Sequence, residues 1–126
     1  MYRAFLLVGI GGFIGSVGRI FSQQLAQRWF PLDFPIGTLA VNVIGSFVIG
    51  LIYGISEHNH FFSTETKLFL TAGLCGGFTT FSSFSYEALN LMRTGEYSTA
   101  MLYVVLGVLS GLLFVFLGFY LGRSIS

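Results

Sequence analysis

Thr38, Asn42 and Ser46 recur at intervals of four inside an otherwise apolar run, a spacing that puts them on one face of a helix. An amide and two hydroxyls in that setting can hydrogen-bond a neighbouring helix. They can equally supply donors to an anion without a full countercharge that would trap it. Spacing leaves both readings open. A second group is more specific: Gly73-Leu74-Cys75-Gly76-Gly77-Phe78-Thr79-Thr80-Phe81-Ser82-Ser83-Phe84-Ser85. Gly76-Gly77 followed by the β-branched pair Thr79-Thr80 disfavours continuous helix. A break in lipid frees backbone N–H and C=O groups, which protein, water or an ion must satisfy. Beyond it, Phe81 and Phe84 stand three apart, with Ser82 and Ser85 on a neighbouring line. Ring edges carry partial positive charge, so aligned rings can touch a small anion. An aromatic stripe alone is more often core packing; its conjunction with glycines and hydroxyls is what points to a site.

Other polar residues are sparse. Arg19 falls near the end of the first apolar run. Held at the membrane centre it costs roughly 2.5–3.5 kcal/mol; near the interface it can snorkel, or set a positive potential at the mouth of an anion vestibule. Glu87 is the only acid well within the third run, suited to a vestibule, to accepting hydrogen bonds or to gating by protonation. Tyr103, Gly107, Ser110 and Phe114 share roughly one face of the last run, where packing is the stronger expectation and lining the alternative. His58 and His60, with Asn59 between them, read as a solvated loop. One cysteine, Cys75, excludes an internal disulfide and a cysteine zinc site. No nucleophile–base pair or metal-ligand cluster is visible, and no enzyme is expected.

These residues must be positioned by membrane helices. The chain has 126 residues, 54% hydrophobic and 9% charged, whereas a soluble domain is about 25% charged. Its net charge of +1 provides no basic face for nucleic acid. A bilayer core of about 30 Å takes about 20 apolar residues per helix. Four segments meet that length, at about 4–25, 36–55, 65–92 and 99–121, and short connections make 1–126 a single all-α membrane domain with its third helix broken. The apolar start runs on to Phe21 without a cleavage site, and so reads as a helix rather than a signal. Glycine pairs spaced by four, Gly11/Gly15, Gly50/Gly54, Gly73/Gly77, Gly107/Gly111 and Gly118/Gly122, suit close helix packing in lipid. Arg3, Lys67 and Arg123 fall on one side of the membrane, and Arg19, Arg28 and Arg93 on the other. That balance gives the positive-inside rule almost no preference, and suits dual topology with two copies paired antiparallel.

The chain resembles the Fluc (CrcB-type) fluoride channel family over essentially its whole length. The resemblance rests on Gly11-Gly12-Phe13-Ile14-Gly15-Ser16-Val17-Gly18-Arg19, on Gly37-Thr38-Leu39-Ala40-Val41-Asn42-Val43-Ile44-Gly45-Ser46-Phe47, and on Gly76 to Phe84 of the third run. It implies a passive, fluoride-selective channel that lets cytosolic fluoride leave across a prokaryotic plasma or inner membrane. It also implies an antiparallel, dual-topology homodimer with two pores and a central structural sodium ion. By motif position, the sodium would be held by backbone carbonyls of Gly76 and Thr79. Asn42, Phe81 and Phe84 would line the fluoride path, with Arg19, Thr38 and Ser82 beside it and Tyr103 and Ser110 continuing it. Gly107 stands where some relatives carry a pore hydroxyl. Two other functions remain for comparison. A small proton-coupled multidrug exporter of dual topology would need an embedded carboxylate, for which Glu87 is the candidate. A non-transporting assembly subunit would explain the glycines but leave the Thr/Phe/Ser segment without a purpose.

Overall fold

A computed structural model describes residues 2–31, 33–58 and 60–126. Asn59, expected in a polar loop, lies outside them. The elements in order are α1 (Tyr2–Trp29), α2 (Ile36–His58), α3 (Thr64–Leu68), a π-helical stretch π1 (Phe69–Cys75), a last helical turn α4 (Gly76–Phe78), α5 (Phe81–Arg93) and α6 (Tyr97–Ile125). The described residues contain no strand. α1, α2 and α6 are each long and apolar enough to cross a membrane. Together with the broken helix 64–93 they make a multi-pass membrane protein. The unbroken helices run three or four residues past the apolar stretches at several ends, because polar residues at the interface can continue a helix that hydropathy alone would stop. His58 is one of these: it closes α2 rather than starting a loop, and its Nε2 accepts from the Arg123 Nε at 3.2 Å.

Two glycine seams assemble the bundle. On the first, α1 lies against π1 and α4. A Cβ on Gly11 would come within 3.0 Å of the Gly73 Cα, and one on Gly77 within 2.5 Å of the Gly12 carbonyl oxygen. On the second, α2 lies against α6, where a Cβ on Gly50 or Gly54 would strike the Val115 or Phe119 carbonyl, and one on Gly118 or Gly122 the Phe47 or Leu51 carbonyl. The pairs Gly11/Gly15, Gly73/Gly77, Gly50/Gly54 and Gly118/Gly122 therefore serve backbone approach, as small residues do in lipid, whereas Gly107 and Gly111 face side chains. α5 leans on α6 through a small core of Phe84, Ala88, Leu91, Ala100 and Tyr103.

The turn between α5 and α6 closes by a Schellman pattern: the Glu96 N–H donates to the Leu91 carbonyl (2.8 Å) and the Gly95 N–H to the Met92 carbonyl (3.1 Å). Gly95 has φ +83°, the left-handed conformation that this cap requires. Outward faces stay apolar, from Phe5 and Phe13 on α1 to Leu109 and Phe116 on α6, which suits lipid or a second copy.

Candidate functional site

The break falls at the threonines, not at the glycines. Gly76 and Gly77 remain helical, and Thr79 (ψ 157°) and Thr80 (φ −150°, ψ 119°) carry the extended backbone. Glycine permits a break but does not hold one open; hydrogen bonds from neighbouring helices do. Thr80 exchanges two bonds with the Asn42 side chain. Its N–H donates to Oδ1 at 2.8 Å, and its carbonyl accepts from Nδ2 at 3.0 Å. The Arg19 Nε donates to the Gly77 carbonyl at 3.1 Å. The Thr79 hydroxyl and N–H both turn back to the Cys75 carbonyl, at 2.9 and 3.0 Å. The Thr79 methyl lies where a Gly45 Cβ would be, so α2 receives it only because residue 45 is glycine.

The carbonyls of Cys75, Gly76, Gly77, Thr79 and Thr80 can then be accounted for. Those of Cys75, Gly77 and Thr80 are taken. The Gly76 carbonyl loses its helical donor because the Thr80 N–H goes to Asn42. The Thr79 carbonyl loses its own because the Ser83 N–H goes to the Thr80 hydroxyl at 3.1 Å. That hydroxyl is the N-cap of α5, a helix of 13 residues whose first N–H groups face the break. One short segment thus presents carbonyl oxygens on one side and a helix N-terminus on the other, the two backbone devices suited to a cation and an anion. Among the described residues no cluster of His, Cys, Asp or Glu could hold a metal; the unpaired carbonyls of Gly76 and Thr79 are the chemically suitable ligands for a hard monovalent cation.

Two cavities meet this segment. One of about 280 Å³ is lined by Asn42, Ser46, Gly76, Thr79, Phe81 and Phe84, among others. The other, of about 660 Å³, is lined by Arg19, Gln23, Thr38, Ser82, Ser83 and Glu87, among others. The stripe Thr38–Asn42–Ser46 is therefore divided, Thr38 in the second cavity and the other two in the first. Along the wall of the second cavity runs a chain of hydrogen bonds. The Gln23 Nε2 donates to the Thr38 hydroxyl (2.9 Å), which donates to Glu87 Oε2 (2.9 Å), while the Tyr103 hydroxyl donates to Glu87 Oε1 (3.1 Å). Thr38 and Tyr103 are 2% and 0% exposed. Of the roles open to Glu87, the structure displays that of hydrogen-bond acceptor.

The two phenylalanines differ. Phe84 is 8% exposed, with its ring 4.9 Å from that of Tyr103, and it occupies the space a Gly107 side chain would need. Phe81 is 78% exposed, 6.1 Å from Phe84 between ring centroids. Gly107 therefore seats a ring, and a hydroxyl-bearing residue there would displace it. Ser110 lines neither cavity, and its hydroxyl donates to the Gly107 carbonyl at 3.4 Å. Sequence reasoning passed over Gln23 and Ser83. Gln23 lies one helical turn from Arg19 on the same face, which is the signal that could have found it; Ser83 is visible only through the cap geometry.

Residues 6–119 match the family described as CrcB-like protein, Camphor Resistance (CrcB). A curated protein of Parabacteroides distasonis named fluoride-specific ion channel FluC is 50% identical over 125 residues, covering 99% of this chain and 96% of the relative. Proteins of the same name from Chlorobium phaeobacteroides and Pyrococcus abyssi are 43% and 45% identical, over 97% and 94% of this chain and 94% of each relative.

Proposed function

The chain belongs to the CrcB-like family, and we propose that it acts as its curated relatives are named, as a fluoride-specific ion channel. An ion channel belongs to no enzyme class. The observation that carries this reading is the break itself, which borders two cavities whose linings supply hydrogen-bond donors. Fluoride is small and strongly hydrated, so every step needs a replacement donor. In the wider cavity these are Arg19, the Ser82 and Ser83 hydroxyls and the N-terminus of α5. In the narrower one they are the second Asn42 amide hydrogen, the Ser46 hydroxyl and the edges of Phe81 and Phe84. Thr38 and Tyr103 hold Glu87 by donating to both its oxygens, which offsets a negative charge beside an anion path.

The working unit in this proposal is an antiparallel pair of copies with a pore on each side. The exposed ring of Phe81 and the apolar faces of α1 and α6 support it, as does the balance of Lys and Arg. The Gly76 and Thr79 carbonyls of both copies would hold a sodium ion at the centre. Such an ion would supply positive potential near the path, while Asn42 Oδ1 and the Thr80 hydroxyl take the N–H groups that these carbonyls would otherwise accept. The exporter reading draws no support from Glu87, whose oxygens are both occupied by neutral donors.

Purified protein in liposomes tests the proposal. Fluoride efflux should be passive, insensitive to a proton gradient and unaccompanied by chloride. Absence of fluoride efflux, or equal chloride flux, rejects the function. Unchanged flux in both Phe81→Ile and Asn42→Asp rejects the residue assignment while leaving the function standing.

A further inference from the structure

At the C-terminal end of α2, a cavity of about 400 Å³ has no part in the proposed fluoride path. It lies where α2 finishes at His58 and α3 begins at Thr64, hence at the level of a membrane surface. Lys67 projects into it with its ammonium 5.0 Å from the centroid of the Tyr53 ring, a cation–π contact that fixes the charge at the cavity wall. The nearest acid in sequence is already paired, Glu65 with Arg3 at 3.1 Å. Among the described residues no carboxylate lies within ion-pairing distance of Lys67.

The hydroxyls of the cavity wall divide into two groups. Those of Ser56 and Thr71 are turned back to the Ile52 and Lys67 carbonyls. Tyr53, Thr64 and His60 line the same cavity and bring further donor groups to it. The rest of the wall is apolar, from Phe62 and Leu68. The site therefore offers one uncompensated cation, neutral donors around it and a greasy flank.

We propose that this cavity binds the phosphate of an anionic phospholipid headgroup. Lysine serves phosphate as a point charge, with hydroxyls completing the oxygens. The apolar flank selects a lipid over soluble phosphate, because acyl chains cover Phe62 and Leu68 where free phosphate leaves them wet. An anionic headgroup is favoured over phosphatidylcholine, whose own ammonium competes with Lys67 for the phosphate.

The test uses the full chain in detergent, with phosphatidylglycerol or phosphatidylcholine retained on the protein quantified by native mass spectrometry. The wild type should hold phosphatidylglycerol about fivefold better, the contribution of one lysine near an anionic surface. Lys67→Gln should abolish that preference and Lys67→Arg keep it. Should Lys67→Gln fail to fold, Tyr53→Leu, which releases the ammonium from its ring, should reduce the preference instead. Equal retention of the two lipids by the wild type, or an undiminished preference in Lys67→Gln, overturns the proposal. Displacement of phosphatidylglycerol by inorganic phosphate overturns it in favour of a soluble-anion site. Fluoride efflux from the same preparation is read separately, so loss of lipid preference and loss of channel function are distinguishable.

Discussion

The α2–α6 seam and the seam between α1 and the broken helix are built alike, yet only at the second is a helix interrupted. Both rest on glycines spaced by four, and in both an added Cβ would meet a backbone carbonyl. α2 and α6 are continuous, so each helix satisfies its own ladder and close approach provides contact alone. Beside α1, the ladder fails over Thr79 and Thr80, and Arg19 of α1 and Asn42 of α2 take over the hydrogen bonds. The difference teaches that glycine supplies proximity, and that proximity becomes a site only where backbone groups have been released.

The largest expected effect tests what the seams share. Gly15→Ala and Gly54→Ala should each destabilise the protein by about 1–3 kcal/mol through overpacking, measured as a lower melting temperature in detergent. A silent substitution at either position breaks the equivalence. The difference between the seams is tested next. Asn42→Asp keeps the acceptor for the Thr80 N–H but sets a carboxylate against the Thr80 carbonyl. A lost hydrogen bond with a buried partner costs about 1–3 kcal/mol, so fluoride efflux should fall by about tenfold or more. Wild-type flux would mean that the break does not depend on this clasp. Gly107→Val should push Phe84 off its seat and slow efflux several-fold, with wild-type rates arguing against an ordered ring. The smallest effect is expected at Arg19. Arg19→Gln should cost about 1 kcal/mol and lower flux, with Arg19→Lys recovering part of it. Identical behaviour of the two substitutions would show that the charge at Gly77 is irrelevant.

Much of the scaffold was legible because lipid imposes simple demands. Apolar length marked the helices, and glycine spacing marked the faces that approach closely. The presence of a break was legible in the Gly76-Gly77 and Thr79-Thr80 pairs, and the structure narrows it to the threonines. Propensity describes what one strand of backbone permits, whereas Asn42, 38 residues away, decides which N–H leaves the ladder. Phe81 and Phe84 look equivalent in sequence and separate in space, since only Phe84 meets Tyr103 and the gap at Gly107.

By itself the sequence determined an all-helical membrane chain with an interrupted third helix, since hydropathy and local propensity are properties of neighbouring residues. Only the tertiary structure decided which carbonyls stand free at Gly76 and Thr79, and which donors hold Glu87. Those outcomes depend on side chains from α1, α2 and α6 reaching a backbone that is distant in sequence, and a hydrogen bond is specified by direction and distance rather than by composition.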